Sequence, residues 1–182
     1  PDATFEWDGS RGVSVATSLG MTIEAKADEH YIEANARILC SELAKNRNID
    51  DTIYVPIRTI SRIYSLECTW NGAEKAVYLT GTPTALEHGD TFYDSDIVYW
   101  LSRIISAESR GEPFRGQIAV GNVVMNRTED GSFPDTVYGV IFDRKYGTQF
   151  SPVATGSIYN DPTDSSVRAA KAVLEGVEVV DN

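Results

Sequence analysis

The spacing of apolar residues changes near residue 94, and this change limits what each half of the chain can fold into. Before it, apolar and polar residues alternate in short runs, which is typical of strands with one buried face. After it, apolar residues recur every three or four positions, which is typical of amphipathic helices. The sequence therefore predicts an α+β chain, in which a small β-rich N-terminal domain with one helix precedes a mainly α-helical domain.

Composition agrees with two small domains and indicates where they meet. The chain has 182 residues, of which 42% are hydrophobic, and this is enough to form a core. Residues 82–93 are polar and include proline, glycine and aspartate, as linkers commonly do. We predict a β-rich domain over 1–83, a linker over 84–93 and a helical domain over 94–182.

Four segments of the first half carry distinct secondary-structure signals. An Asp–Gly pair predicts the turn of a hairpin in Phe5–Thr17, and a second hairpin is predicted for Cys68–Thr80. Strict alternation over Tyr31–Cys40 predicts one half-buried strand. Between strand and second hairpin, Val55–Leu66 changes to the helical period, with Ile57 on the inward face.

The two predicted hairpins resemble each other. The first is FEWDGSRGVSVAT and the second is CTWNGAEKAVYLT, and they share the tryptophan, the turn glycine and the final threonine. Such a repeat indicates a sheet built from similar pieces, or a preceding partial copy of the same module. Chance similarity between two hairpins is the alternative.

The chain has only two cysteines and two histidines. Cys40 ends the predicted strand and Cys68 opens the second hairpin, so a disulfide can form between them in an oxidising compartment. Two buried thiols are the alternative. His30 and His88 are far apart and lack the spacing of metal ligands, so we predict no metal site and no cofactor.

The clearest helical pattern leads to a carboxyl group. Counting from Ile97, apolar residues occur at i, i+3, i+4 and i+7, and four residues further the same face reaches Glu108. A carboxyl group held against apolar walls is poorly solvated when ionised, so its pKa should rise and it can act as a general acid. An exposed glutamate at a fraying helix end is the alternative, because Gly111 and Pro113 end the helix here.

The remainder of the second half predicts further helices and one long irregular segment. Arg115–Arg127 is apolar around a wide arc, and Gly121 within it predicts a close approach of another helix. Asn122 can hydrogen-bond to neighbouring backbone. Residues 143–160 form a long irregular segment, which in a compact domain is often functional. Asp161 and the proline after it begin the last helix.

The acidic charge of the chain excludes some classes of partner. Its net charge is −11, whereas binding to phosphate backbones needs a basic surface, so nucleic acid is not an expected partner. The sequence has no polybasic run and no apolar run of transmembrane length, so we expect no membrane insertion. The first residues do not form a signal peptide, and the export signal of a secreted protein would lie outside this sequence.

Taken together, these motifs resemble two known families. The second half is similar to the bacterial cell wall hydrolases that include the spore-cortex-lytic enzymes, through five runs that follow the family's order: WLSRIISAESRGEP, GQIAVGNVVMNR, FPDTVYGVIFD, YGTQFSPVATGSIYN and AAKAVLEG. The first half resembles the N-terminal module of copper amine oxidases, through VPIRTISRIYSLECTWNG. No copper is implied, because this chain has no ligand cluster.

The resemblance of the second half to cell wall hydrolases implies a lysozyme-like helical fold and cleavage of the peptidoglycan glycan strand. The family's catalytic glutamate maps onto Glu108 in the run AESRGE. The run GTQFS is similar to the Gly–x–Gln segment of lysozyme-like transglycosylases, which implies that Gln149, and next to it Ser151, line the sugar groove. The expected partner is therefore the glycan strand, and the expected location is extracellular and wall-associated. The first domain is expected to bind the wall or a protein, and its ligand is not predicted further.

Glycosidases normally use two carboxyl groups, and no clear second one accompanies Glu108. Glu112 closes the motif, and we expect it to hold the turn. Four others lie at predicted helix ends or turns: Glu129, Asp130, Asp135 and Asp143. A single acid fits lytic transglycosylation, in which Glu108 first protonates the glycosidic oxygen and then accepts the proton of the muramyl 6-hydroxyl as the 1,6-anhydro ring closes. Hydrolysis by water is the alternative.

Aromatic residues concentrate after the central helix. They are Tyr138, Tyr146, Phe150 and Tyr159. Planar rings stack on the apolar faces of sugars, so these side chains are candidates to line a glycan groove. The alternative is that most of them belong to the core.

Two further expectations concern the whole chain. The family usually continues past the last helix with a segment rich in tyrosine and asparagine, so the helical domain is expected to be truncated at its C-terminus. The chain is expected to be a peptidoglycan lytic transglycosylase or muramidase. The alternatives are a non-catalytic protein that binds peptidoglycan or is anchored in the wall, and a structural fragment.

Overall fold

The computed structural model describes residues 2–41, 44–145 and 147–180, and the contacts divide the chain into two compact units. The first unit is Pro1–Phe92 and is rich in strands, and the second is Tyr93–Asn182 and is helical. This order confirms the predicted α+β class.

The first unit is built on an antiparallel five-stranded sheet. Its strands follow one another in chain order: β1 (Ala3–Asp8), β2 (Val13–Ser18), β3 (Met21–Ala25), β4 (Tyr31–Ala34) and β5 (Arg37–Cys40). Two short hairpins and two helices complete the unit: β6 (Arg47–Ile49) with β7 (Thr52–Tyr54), α1 (Ile57–Ile63), β8 (Glu67–Asn71) with β9 (Ala76–Thr80), and α2 (Gly89–Phe92).

The core of the first unit lies between one face of the five-stranded sheet and α1. Met21, Ile32 and Leu39 on the sheet are almost fully buried, as is Ile63 on the helix. Ile57, predicted to point inward, is instead 43% exposed. It is the first residue of a seven-residue helix, so the packed face is carried by the later turns.

The predicted linker includes structure that belongs to the first unit. Helix α2 lies within residues 84–93, and the backbone N–H of Gly89 donates to the carbonyl oxygen of Asn35 at 2.8 Å. A side chain on Gly89 would lie 2.5 Å from the carbonyl oxygen of Ala36. The stretch is therefore attached to the first unit at Gly89, although most of its residues are exposed.

The prediction of a single strand over Tyr31–Cys40 is wrong. The segment forms a hairpin of β4 and β5, because Asn35 and Ala36 both take positive φ values, 51° and 63°. A two-residue turn of this kind reverses the chain, and asparagine adopts it readily whereas alanine does so at some cost. Within β5, consecutive residues Ile38 and Leu39 point to opposite faces and are both buried, so both faces of this strand are covered.

The first repeated hairpin is confirmed, with a turn that differs in detail from the prediction. The side-chain oxygen Oδ1 of Asp8 accepts hydrogen bonds from the backbone N–H groups of Ser10 and Arg11, at 3.0 and 3.2 Å. The hydroxyl of Ser10 also donates to Asp8, and this bond lowers the pKa of the Asp8 carboxyl. The left-handed residue is Gly12, with φ of 65°, and not Gly9 of the Asp–Gly pair.

The second repeated hairpin, β8–β9, has the same turn. Oδ1 of Asn71 accepts hydrogen bonds from the backbone N–H groups of Ala73 and Glu74, at 3.0 and 3.2 Å. Lys75 takes the left-handed position, with φ of 52°. The sequence repeat therefore corresponds to a repeated structure.

The cysteines lie in different hairpins of the first unit. Cys40 ends β5 and Cys68 lies in β8, and both are half buried. Both belong to the described residues, and there they are thiols with no disulfide bond between them. The disulfide considered from the sequence is therefore absent.

The second unit is a helical assembly around three long helices. Its elements are α3 (Ser95–Ser109), α4 (Phe114–Glu129), α5 (Val137–Phe142), α6 (Ser151–Thr155), a 3-10 turn (Ser157–Tyr159) and α7 (Asp164–Leu174). Helices α3, α4 and α7 pack against one another around fully buried Leu101, Ile105 and Ala169. Over the described residues, no helix is long and apolar enough to cross a membrane.

Gly121 permits the closest approach among these helices. A Cβ atom added there would lie 2.7 Å from Cγ2 of Val173 on α7 and 3.0 Å from Cδ1 of Ile105 on α3. Real Cβ contacts are longer, so α4 can reach both neighbours only with glycine at this position. The predicted close approach at Gly121 is confirmed.

We expect Gly121→Ala to destabilise the second unit by about 1–3 kcal/mol, because the added methyl group overpacks a fully buried contact. Urea unfolding followed by far-ultraviolet circular dichroism measures this change. Gly131→Ala is the matched control, because nothing lies within 4 Å of its Cβ position. It should change stability by less than about 0.5 kcal/mol, and equal effects of the two substitutions would contradict the close packing at Gly121.

Candidate active site

Helix α3 sets the position of Glu108. Oδ1 of Asp94 caps the helix by accepting from the backbone N–H groups of Asp96 and Ile97, at 2.9 and 3.1 Å. This cap fixes where the helix begins, and Glu108 then falls in its last turn. Ile104, four residues earlier, is fully buried.

The Glu108 side chain is exposed, so the expectation of apolar walls around its carboxyl group is wrong for this structure. The buried face of α3 continues from Ile105, which is 0% exposed, to Ser109, which is 5% exposed. In the last turn this face therefore passes beside Glu108 and not over it. The free protein holds the carboxyl group in water.

An aromatic cluster lies on α3 about two helical turns before Glu108. Trp100, Ile104 and Glu108 are spaced by four residues, and Trp100 lies about 12 Å from Glu108 along the helix at 1.5 Å per residue. The Trp100 ring contacts those of Tyr138 and Tyr159 edge-on, with centroid distances of 5.3 and 6.3 Å.

The cluster presents rings to solvent while its base is packed. Phe142 lies beneath, with ring centroids 5.1 Å from Trp100 and 4.5 Å from Tyr138. Tyr138 is 54% exposed and Tyr159 is 62% exposed. Tyr138 and Tyr159, both predicted to line the groove, are thus placed at the surface, and Trp100, which was not predicted as a groove residue, contacts both.

An arginine holds the segment that carries Tyr159 against α3. Nη2 of Arg103 lies 3.1 Å from Oδ1 of Asp161, two residues after Tyr159. The Arg103 guanidinium stacks on the ring of Tyr99, 3.7 Å from its centroid. The ion pair joins the segment after the 3-10 turn to α3, and the stacking on Tyr99, which lies within α3, orients the Arg103 side chain.

The remaining predicted groove residues lie at the start of α6. Phe150 is only 8% exposed, and its ring centroid lies 5.3 Å from the guanidinium of Arg127. Its burial argues against the predicted stacking on sugar. Gln149 is half buried and Ser151 is exposed, whereas Tyr146 lies outside the described residues.

Other carboxylates of the second unit have local roles. Oδ1 of Asp130 accepts the backbone N–H of Ser132, and Oδ1 of Asp143 accepts that of Lys145, both at 2.9 Å. Glu129 and Asp135 are exposed. In the described part of the chain, these positions agree with caps and turns and supply no evident second catalytic acid.

Glu112 holds the turn after α3 through its backbone. Its N–H donates to the carbonyl oxygen of Ser109 at 2.9 Å, and its own carbonyl oxygen accepts from Nε2 of Gln117 at 3.0 Å. Gln117 is 2% exposed, and its Oε1 accepts the hydroxyl of Ser166 at 3.1 Å. A buried polar chain thus ties the turn next to Glu108 to helix α7.

The roles of Gln117 and Ser166 were not predicted from the sequence. The available signal was a glutamine within the apolar run RGQIAV, where a polar side chain needs a buried partner. The analogous expectation for Asn122 is confirmed, with distant partners. Its Nδ2 donates to the carbonyl oxygen of Val177 at 2.7 Å, and its Oδ1 accepts from the N–H of Val179 at 2.9 Å.

We expect Gln117→Met and Ser166→Ala to be coupled by about 1 kcal/mol in a double-mutant cycle of urea unfolding, because each removes one side of the same buried hydrogen bond. Gln117→Met paired with Thr17→Ala is the control. Thr17 is an exposed strand residue of the first unit, so those two effects should add. Equal coupling in both cycles would show that the buried bond is not what links the positions.

Each half of the chain matches a known family. Residues 111–182 match the family described as cell wall hydrolase, and residues 2–79 match the one described as copper amine oxidase N-terminal domain. Glu108 lies three residues before the first of these matches begins.

Several curated proteins match the second half. A spore cortex-lytic enzyme of Bacillus cereus is 41% identical over 85 residues, which is 47% of this chain and 30% of that protein. The spore cortex-lytic enzyme of Bacillus subtilis is 35% identical over 85 residues, 47% of this chain and 26% of that protein. The chain thus spans less than a third of the length of these relatives.

A solved structure also matches. It is the catalytic domain of the germination-specific lytic transglycosylase SleB from Bacillus anthracis, at 35% identity and a TM-score of 0.44, covering 52% of this chain and 72% of that one. The family matches of the two halves are independent of this comparison. The chain therefore carries a copper amine oxidase N-terminal-like domain followed by a cell wall hydrolase domain.

Proposed function

We propose that this protein cleaves the glycan strand of peptidoglycan between N-acetylmuramic acid and N-acetylglucosamine, with Glu108 as the general acid. The observation that supports this most is the placement of exposed Glu108 in the last turn of α3, about two helical turns after the exposed rings around Trp100. A carboxyl group at one end and a ring platform at the other suit a polymer of sugars, which is long and has apolar ring faces.

The exposed carboxyl group becomes a proton donor when substrate covers it. In the free protein, the Glu108 side chain is exposed to water. Sugar rings that span from the aromatic cluster to the end of α3 would displace that water, and removal of water favours the protonated form of a carboxyl group. The substrate thus supplies the apolar wall that the sequence led us to expect from the protein.

Glu108 then acts twice. As acid, it protonates the glycosidic oxygen, so the bond to the muramyl C1 breaks and the N-acetylglucosamine hydroxyl leaves. As base, the resulting carboxylate accepts the proton of the muramyl 6-hydroxyl, whose oxygen closes the 1,6-anhydro ring. Asp130 and Asp143 accept backbone hydrogen bonds in their own turns, and this use of both carboxylates favours the one-residue route over hydrolysis.

The groove residues have separate roles in this proposal. Tyr159 offers its exposed ring for stacking, and Arg103 fixes its position through Asp161. Gln149 and Ser151 offer hydrogen bonds to sugar hydroxyl or acetamido groups near the start of α6. Phe150 acts indirectly, because its packing on Arg127 anchors the segment that carries those two residues.

The expected place of action is the bacterial cell wall outside the cell, with the glycan strand as the partner. The relatives are named spore cortex-lytic enzymes, which places cortex peptidoglycan among the candidate substrates. A net charge of −11 is unfavourable for nucleic acid.

The exposure of Glu108 favours a second candidate function. A carboxyl group that stays hydrated after glycan binds would remain ionised and could not protonate the leaving oxygen. The protein would then bind peptidoglycan without cutting it. The two candidates differ in whether soluble fragments appear, so one variant separates them.

We expect Glu108→Gln to abolish release of soluble muropeptides from purified sacculi while leaving sacculus binding unchanged, because glutamine keeps the shape of the side chain but cannot donate a proton. Release is measured by chromatography and binding by co-sedimentation. Glu112→Gln is the matched control and should retain activity, since only its backbone is used in the turn. A wild-type protein that binds sacculi but releases nothing would establish the binding function instead.

Mass spectrometry of the products distinguishes the two cleavage routes. Transglycosylation should give anhydro ends that are lighter by one water than the reducing ends left by hydrolysis. Reducing ends from the wild-type protein would contradict the one-residue mechanism without contradicting cleavage.

We expect Tyr159→Ala to raise KM for glycan by about tenfold, because one exposed stacking ring is lost, with little change in kcat. Tyr159→Phe is the control, since it keeps the ring and loses only the hydroxyl, and it should behave as wild type. A loss in Tyr159→Phe equal to that in Tyr159→Ala would show that the hydroxyl and not the ring face binds sugar.

A further inference from the structure

The edge of the second repeated hairpin in the first unit lacks the features that keep sheet edges from pairing. Strand β9 (Ala76–Thr80) is bonded to β8 on one side, and within the described residues no strand pairs with its other side. Its sequence, AVYLT, contains no charge and no proline. Natural edge strands are usually protected by such residues or by bulges, and an exposed apolar edge without them is a pairing site.

One face of the β8–β9 hairpin is entirely apolar and largely exposed. The register pairs Trp70 with Val77 and Cys68 with Leu79, so all four side chains lie on the same face. Trp70 is 58% exposed, Val77 is 43% exposed and Leu79 is 37% exposed. A two-stranded hairpin of this kind is marginally stable in water unless further strands or another element cover it.

In the first hairpin, the edge that corresponds to the open edge of β9 is paired with another strand. In the repeat, β9 corresponds to β2, and β2 pairs on its second side with β3. Hairpin β8–β9 has the same turn and the same tryptophan, yet its corresponding edge is open. By contrast, the open edge of β1 carries Glu6 and Asp8, and such charges disfavour pairing.

We propose that β9 pairs antiparallel with β9 of a second copy of this chain and joins the two hairpins into one four-stranded sheet. Side-chain alternation restricts the register, because only pairings whose residue numbers add to an even value keep apolar residues on one face. The register with the most pairs centres on Tyr78. It places Tyr78 opposite Tyr78 of the other copy and Val77 opposite Leu79.

This pairing creates a continuous apolar face and opposes no charges. Two rows of apolar side chains cross the four strands from edge to edge. Each row contains Trp70 and Val77 of one copy, followed by Leu79 and Cys68 of the other copy. The pairs formed by β9 contain only alanine, valine, tyrosine, leucine and threonine. The net charge of −11 on each copy opposes association, so salt should strengthen the dimer by screening that repulsion.

Sedimentation equilibrium of the whole chain tests the proposal. We expect a dimer whose Kd falls as salt is raised, and we expect Tyr78→Lys to raise that Kd by about tenfold or more, because two lysines would face each other across the new pair. Thr69→Lys is the matched control. Thr69 is the β8 partner of Tyr78 on the same face, so it adds the same charge one strand away from the new edge.

Disulfide trapping locates the contact. In a Cys40→Ser, Cys68→Ser background, Tyr78→Cys should form a covalent dimer on mild oxidation, because opposite residues of paired strands have Cα atoms about 4.5–5.5 Å apart. Thr69→Cys should not, since the two copies of that residue would be three strand spacings apart, roughly 14 Å.

Two results would overturn the proposal. One is a wild-type chain that stays monomeric at its solubility limit in high salt. The other is a dimer that Tyr78→Lys leaves intact and Tyr78→Cys does not trap, which would place the contact on another surface. Neither result bears on glycan cleavage, which the muropeptide assay measures separately.

Discussion

The second unit depends on how closely α4 approaches α3 and α7. Gly121 lets the backbone of α4 sit where any side chain would collide with Ile105 or Val173. Close packing on the apolar side is matched by hydrogen bonds on the polar side, where Gln117 reaches the turn after α3 and also Ser166 on α7. The end of α3, and with it Glu108, is therefore held by both kinds of contact.

The position of Glu108 is fixed while its surroundings are open. The buried face of α3 ends beside it, and the ring cluster around Trp100 lies about two helical turns earlier on the same helix. In this arrangement the protein positions the Glu108 carboxyl group, and the proposed substrate displaces water from it. Arg103 and Arg127 contribute at a distance, because each stacks on an aromatic ring and holds a segment that bears candidate groove residues.

The sequence predicted the class, both repeated hairpins and the course of α3, because these follow from local periodicity and turn chemistry. It failed where a few backbone angles or long-range contacts decide the result. Asn35 and Ala36 split a predicted strand through left-handed angles that alternation does not report. Exposure of Glu108 and burial of Phe150 depend on which distant elements cover each position, and Gln117 finds its partner on a helix 49 residues away.

Under the proposed function, the exposed carboxyl group has a consequence for the size of the products. A glycan long enough to rest on the rings around Trp100 and still reach the end of α3 excludes solvent from Glu108. A fragment too short to bridge that interval leaves the group in contact with water, and so survives intact. The distance along α3 between Trp100 and Glu108 would then set the length of the smallest oligosaccharide that the protein can cut.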